Sequence, residues 1–302
     1  MTIRARMPLV VAVVAALVAG SACVDIVGAG GLGYVEREEK RFSVDGKPDV
    51  ALSTFDGSIE IRAWDRPDVL VVVEKRARDK EEAATIEVRA AQNGSHVTVD
   101  VGMPTMIRVL GFHWNTSPSG KLIVSMPASS DVRARSGDGS ISIERITGTL
   151  DLRSGDGSIR GNDLAGKLSA HTGDGSIKLE AIKGGVNVDT GDGSVAVAGT
   201  MTSVRVRTGD GSVSVHAAPG SATTEDWDIT TGDGSVTLEL PEGFGGELDA
   251  HTGDGGIHLQ DVTVSNVTGQ TDKNSMRGRI GAGGHALRVR TGDGSITIRK
   301  GK

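Results

Sequence analysis

One cysteine stands in the 302 residues, so no intramolecular disulfide can brace the chain. Aromatic residues make up only 3%, with three Trp and one Tyr, which leaves a core of small aliphatics and few rings to stack on a sugar or a base. No basic tract is present: the formal charge is −6, and it becomes −8 (−6 − 2) once Arg4 and Arg6 leave with residues 1–22. A net-acidic chain without clustered Lys and Arg lacks the electrostatic footprint of a nucleic-acid binder. The longest apolar run, PLVVAVVAALVA, falls short of the ~20 residues needed to span a bilayer. A sustained 3.6-residue period, the mark of amphipathic helices, is also missing.

What the chain has is glycine, 44 of 302, and a repeated pentapeptide. TGDGS occurs at 172–176, 190–194, 208–212, 231–235 and 291–295, SGDGS at 136–140 and 154–158, TGDGG at 252–256 and TFDGS at 54–58. From Gly137 the motif restarts every 18 residues to Gly209, then after 23, 21 and 39. A fixed short period signals a repeat architecture. Within a repeat, Ile177, Leu179, Val186 and Val188 alternate with polar residues, the period-2 pattern of strands with one buried face. One such unit buries about five aliphatic side chains, roughly 1.5–3 kcal/mol each, against an ordering cost of about 1.5 kcal/mol per residue. It folds only by stacking on its neighbours. The expected fold is therefore all-β: a single-stranded β-solenoid or β-helix with ~18-residue rungs, two or three short strands to a rung. The 39-residue interval reads as two turns of the repeat, one having lost the motif and gained an insertion; residues 263–282 are the expected protrusion.

The pentapeptide itself reads as a turn. Its Thr or Ser keeps the inward parity of Val186 and Val188 and can bond the turn backbone. The glycines take positive-φ or crowded positions, and the Asp can close an Asx-turn. Stacking predicts a turn ladder of Asp138, Asp156, Asp174, Asp192, Asp210, Asp233, Asp254 and Asp293. One carboxylate per rung is a thin ligand set for an ion that takes six to eight oxygens, so no calcium, other metal or cofactor is expected. His171, His251, His258 and His285 make no ligand spacing. Paired carboxylates on such a ladder could serve a glycosidase, but a uniform row offers no odd-one-out acid with a raised pKa, and no catalytic residue is assigned. The residues before the corners, Arg135, Arg153, His171, Asp189, Arg207, Thr230, His251 and Arg290, form a mixed outward line. Trp227 keeps core parity.

The N-terminus reads differently. Residues 1–22 follow the charged, apolar, small-residue order of a signal peptide, and Cys23 follows directly, as in a lipoprotein lipobox, although Gly20 departs from that pattern. Cys23 is the expected lipidation site and residues 23–39 a flexible tether. Gly28, Gly30 and Gly33 spell G-x-G-x-x-G, but that fingerprint works only between a strand and a helix of a βαβ unit. Residues 40–302 are expected to form one domain, with 40–135 as irregular N-terminal rungs and 136–302 as regular ones. VLVVVEK is a buried strand, Asn93-Gly94 the turn of a hairpin, and RARDKEEAA a solvated loop or one helical turn.

TFDGSIEIRAWD, the repeated [ST]GDGS[IV] corners and RGRIGAGGHALRVRTGDGSITI resemble the bacterial "putative adhesin" domain family of unknown function. The resemblance spans residues 40–302 and implies a secreted or lipidated β-solenoid of the cell envelope. The expected function is a non-catalytic envelope binding or adhesion module. It would act on an envelope glycan or protein, attach to the membrane through Cys23, and bind no nucleic acid; a soluble periplasmic or secreted form is the other possible address. The alternative is a β-helix polysaccharide-processing enzyme, a lyase or glycosidase.

Overall fold

The computed structural model describes residues 25–26, 33–103, 118–268 and 273–301. The signal segment, Cys23, Gly28 and Gly30 lie outside the described residues.

The fold is all-β, with one short helix among the described residues. Two parallel ladders run side by side, one built from strands that follow the GDG corners and one from strands that lead into them. In the first, Ile59 pairs with Ile141, then in turn come Ile159, Ile177, Val195 and Val213. In the second, Val132, Leu150, Leu168, Val186 and Val204 stack in the same way. From Ile141 in the first series, and throughout the second, each of these partners is 18 residues further on. The spacing of the motif is thus the register of the ladder, apart from a shift of one residue over Ile182–Gly184. Inward residues of both ladders, such as Ile141, Ile143, Leu150 and Leu152, share one buried cluster. Trp227 is fully buried in it and meets Phe244 edge-on at 5.2 Å. The result is a solenoid-like stack with small aliphatics between two flat walls.

At both ends, rung order departs from chain order. Near the C-terminus, Ile296 pairs with Val236 on one side and Ile257 on the other, and Leu287 lies between Trp227 and Leu248. The final rung is thus slotted between its two predecessors. The N-terminal end mirrors this: Asp49–Thr54 lies between Asp131–Ser136 and His96–Gly102, and Ile59–Trp64 between Ile141–Glu144 and Ser119–Pro127.

Antiparallel strands close the ends. Asp68–Ala77 runs against Ser119–Pro127, and Glu87–Asn93 forms the expected hairpin with His96–Gly102, Gly94 taking φ +59°. Ser275–Ile280 runs against Gly246–Thr252. The described part of the 263–282 insertion thus includes a capping strand, Ser275–Ile280, that packs back on the stack, and the long interval is not two parallel stacked turns. The other edge of Gly246–Thr252 is taken by the final rung.

Residues 34–39 also differ from the expected tether. They belong to the strand Tyr34–Ser43, antiparallel to Asp68–Ala77. The segment lacks apolar alternation because much of its cross-strand pairing is ionic: Arg37 meets the buried Glu74 at 2.6 Å and Lys75 meets Glu36 at 3.5 Å. The charged run forms the single helical turn Lys80–Ala84, where the Asp79 carboxylate accepts a hydrogen bond from Glu82 N.

The parity of a central rung is open to a direct test. Val188 is 1% exposed and Asn187 faces solvent. Val188→Asp buries an unpaired charge and should lower the unfolding free energy by several kcal/mol, on the order of 3 or more. Asn187→Asp should stay within about 0.5 kcal/mol. Urea melts that gave equal shifts for the two would refute the assignment.

Candidate functional site

Two opposite edges of the stack carry its special features. Along one run the GDG corners. Each Thr or Ser is buried and donates its hydroxyl to glycine carbonyls of the adjacent rung. Thr190 Oγ1 reaches Gly173 O at 3.2 Å and Gly175 O at 3.0 Å, and Thr208 Oγ1 reaches Gly191 O and Gly193 O at 3.1 and 3.0 Å. Thr291 bonds Gly232 and Gly234, while Thr252 bonds Gly292 and Gly294, so the hydroxyls follow the swapped rung order. Several also accept from their own corner, as Ser154 Oγ does from Gly157 N at 3.1 Å. The hydroxyl thus joins neighbouring rungs as well as closing its turn.

The glycines are required by crowding. In the regular corners from 136 onward none has positive φ, but a Cβ on Gly173 would lie 2.7 Å from Gly155 O, and one on Gly191 2.6 Å from Gly173 O. Of the corner glycines, Gly57 in the imperfect TFDGS copy alone combines crowding with a positive φ, +139°.

The eight ladder aspartates, Asp138, Asp156, Asp174, Asp192, Asp210, Asp233, Asp254 and Asp293, are all exposed. They form one acidic edge, each of the first four with a carboxylate oxygen over the first glycine of the next corner. Among the described residues no ladder carboxylate takes the backbone hydrogen bond of the expected Asx-turn; at four corners it is the Thr or Ser hydroxyl that accepts from the backbone, at the glycine directly after the Asp. No group of three or more candidate metal ligands occurs among the described residues. Melts in EDTA and in millimolar calcium should give the same Tm; a rise of about ten degrees with calcium, several kcal/mol of linkage for a domain of this size, would identify a metal site instead.

Asp56 breaks the uniformity. Burial, then repulsion from Asp138, raises its pKa above the ordinary carboxylate value. It is the odd acid that the sequence pattern does not disclose, because its half-burial comes from the out-of-order end rung: Gly120 N bonds Asp56 O. A raised pKa means the folded state prefers the protonated form. The stability from Asp56 is fully present below the unfolded pKa of about 3.9 and is lost as pH rises through the folded value. Asp56→Asn should therefore raise Tm at pH 7 and leave it unchanged at pH 3.

The opposite edge is shaped by a second turn, where Arg145, Asp163 and Ala181 stack with φ of 59, 52 and 53°. Behind it, on the outer face of the corner-leading ladder, lies an open groove of 570 Å³. Its floor is side-chain-free at Gly166, Gly184 and Gly185, and Lys167, Asn187, Ser203 and Arg205 rise around it. Lys167, Gly185 and Ser203 are successive partners in register, as are Ser169, Asn187 and Arg205. Glu225 and Asp226 form a wall, carried by extra residues between Ala217 and Trp227. Arg288, followed by the Ala286 N–H, holds the Asp226 carboxyl below the usual range. Sequence reasoning missed this groove, although the 23-residue interval to Gly232 and the Gly184-Gly185 pair were visible signals.

Most outward arginines on this face are neutralised. Arg133 pairs with Asp49 at 2.9 Å, Arg153 with Asp151 at 3.0 Å, Arg288 with Asp226 at 2.9 Å and Arg290 with Asp249 at 3.1 Å. Of the line before the corners, His171 meets Asp189 at 3.0 Å, and Arg135 stands 4.0 Å from Asp151. Lys167, Arg205 and Arg207 have no ion-pair partner among the described residues. His285 stands 3.6 Å from Asp226, and the lone histidines form no cluster.

The walls, corners and capped ends now described coincide with one family model, which matches residues 49–299. The chain belongs to the Toastrack DUF4097 family. No curated protein matches this Toastrack chain. Among solved structures it is similar to a "putative cell adhesion protein" from Clostridium sporogenes, at 12% identity and a TM-score of 0.28, covering 88% of this chain and 100% of that one. It is also similar to a "putative adhesin" from Bacteroides fragilis, at 11% identity and TM-score 0.39, covering 87% and 96%. A "putative lipid binding protein" from Parabacteroides distasonis matches at 12% and 0.41, covering 88% and 97%. At such identities and TM-scores those names stay with those proteins.

Proposed function

We propose that this Toastrack chain is a non-catalytic binding module of the bacterial cell envelope, carried to the membrane by lipidation at Cys23. Its rungs would be regular solenoid turns of ~18 residues that present a flat face to an envelope glycan or protein. The observation that carries the reading is the glycine-floored groove on an outer face whose arginines are mostly ion-paired, ringed by Lys167, Asn187, Ser203 and Arg205. Solenoids offer extended surfaces of this kind for polymers and proteins. The exposed aspartate ladder, uniform from Asp138 to Asp293, supports a structural role for the corners.

The mature protein should bind isolated envelope material, and filling the groove floor with Gly185→Trp should abolish that binding while the melt stays cooperative. Retention of binding by that variant would end the groove assignment. Mass spectrometry of the mature N-terminus should show a diacylated Cys23; an unmodified Cys23, or cleavage elsewhere, would refute the anchor. The polysaccharide-processing reading draws on one observation, the raised Asp56 beside Asp138. Turnover of any envelope polymer that is lost in Asp56→Asn would favour it.

A further inference from the structure

From the charges around the groove we infer that its ligand is an anionic glycan, a chain bearing carboxylate or phosphate groups. This inference rests on the binding-module reading and adds the class of ligand. Three observations point the same way.

The first is charge. On a face where most arginines are matched by an acid, Lys167, Arg205 and Arg207 are unpaired among the described residues, and the first two line the groove. The nearest acids are otherwise engaged. Asp151 is held by Arg153 and Asp226 by Arg288. Asp228, the register partner of Arg205, keeps its charge but lies outside the groove lining, forms no ion pair with Arg205, and accepts from Thr230 Oγ1 at 3.1 Å. Glu225 on the far wall is the unpaired acid of the site.

The second is spacing. Lys167 and Arg205 are two rungs and two residues apart, roughly 12 Å at about 4.8 Å per rung and 3.3 Å per residue. In the rung between them Gly185 has no side chain and Asn187 has an amide, so one extended chain can pass over Gly185 and reach both cations. Ser169, Asn187 and Ser203 supply neutral donors and acceptors between them, suited to hydroxyls.

The third is what the face lacks. Protein partners are gripped mainly by buried aromatic and apolar anchors. Among the described residues, Val267 is the exposed large hydrophobic, and it lies outside the groove. A ligand held by hydroxyl, amide and two cations is hydrophilic and negatively charged. The aspartate edge would repel such a chain, but it stands at the other end of the strand, some five residues or roughly 17 Å away. That exceeds the Debye length of about 8 Å at physiological salt.

Binding of the full mature chain to four probes tests the inference: oligogalacturonate for carboxylates, polyglycerol phosphate for phosphates, dextran as a neutral control and poly-L-glutamate as an acidic polypeptide. Oligogalacturonate or polyglycerol phosphate should bind, and the preference between them identifies the acidic group. Lys167→Ala and Arg205→Ala should each weaken that binding roughly tenfold, the loss of one charge-assisted contact. Raising salt should weaken it further. Glu225→Gln should strengthen it, a gain that misfolding cannot mimic. Dextran binding as tightly, or a Lys167/Arg205 double variant binding like the parent, would overturn the anionic assignment while leaving the binding module in place. Preference for poly-L-glutamate would overturn the glycan. Failure of all four probes, with envelope binding still blocked by Gly185→Trp, would also overturn it.

Discussion

Gly193→Ala should destabilise the protein by several kcal/mol although it adds one methyl group to a surface turn. The new Cβ would overlap the Gly175 carbonyl, with its carbon at 2.6 Å, and would stand 2.9 Å from Thr190 Oγ1. None of these atoms can retreat. Gly175 O accepts the Thr190 hydroxyl at 3.0 Å, and the strands that follow the corners are paired directly after it at Ile177↔Val195 and Leu179↔Val197. Overpacking alone costs about 1–3 kcal/mol, and losing the hydroxyl bond between rungs adds about 1 kcal/mol. Gly102→Ala is the control: its Cβ meets nothing nearer than Asp100 Oδ2 at 3.9 Å, and its φ is not positive. It should shift the melt by no more than about 0.5 kcal/mol. Equal effects at Gly193 and Gly102 would show that the corners tolerate a side chain and that crowding is not why glycine stands there.

The corners were the most legible part of the chain, because one steric problem recurs in every rung and its solution is written in the same letters. Thr190 and Trp227 face inward as their parity required. What the pattern could not carry was neighbourhood. The corners at 231, 252 and 291 are near-identical, and the strands behind them offer interchangeable inward residues such as Leu238, Leu259 and Ile298. Which rung lies beside which is decided by the caps: Ser275–Ile280 covers one edge of Gly246–Thr252 and leaves the other for the C-terminal rung. The half-buried Asp56 was hidden for the same reason at the other end. The groove was illegible in another way. It is made by an absence of side chains at Gly184 and Gly185 over a rung that neighbours an insertion, so its parts meet only once the register is known. Tyr34–Ser43 escaped notice because its pairing is ionic and backbone-based, without the apolar alternation that announces a strand.

The swapped order has its largest consequence at the C-terminus. Removing residues 285–302 should abolish cooperative unfolding rather than shorten the stack by one rung. In a sequentially ordered solenoid the last rung has a single neighbour, and its loss removes one interface. Here it takes away Leu287, Val289, Ile296 and Ile298, all 0% exposed, and uncovers two rungs at once. Four such side chains contribute roughly 6–12 kcal/mol of burial at about 1.5–3 kcal/mol each, comparable with the whole stability of a domain, about 5–15 kcal/mol. Hydrogen exchange on the intact chain tests the same point without truncation. Chain ends ordinarily fray and exchange first. The amides of Ile296 and Ile298 should instead exchange as slowly as those of Ile177 and Leu179 in mid-stack. Leu259 should be faster, since Ile257–Gln260 is the outer strand and its inward residues are only half-buried. If Ile298 exchanges before Leu259, the final rung is on the outside and the slotted order is wrong.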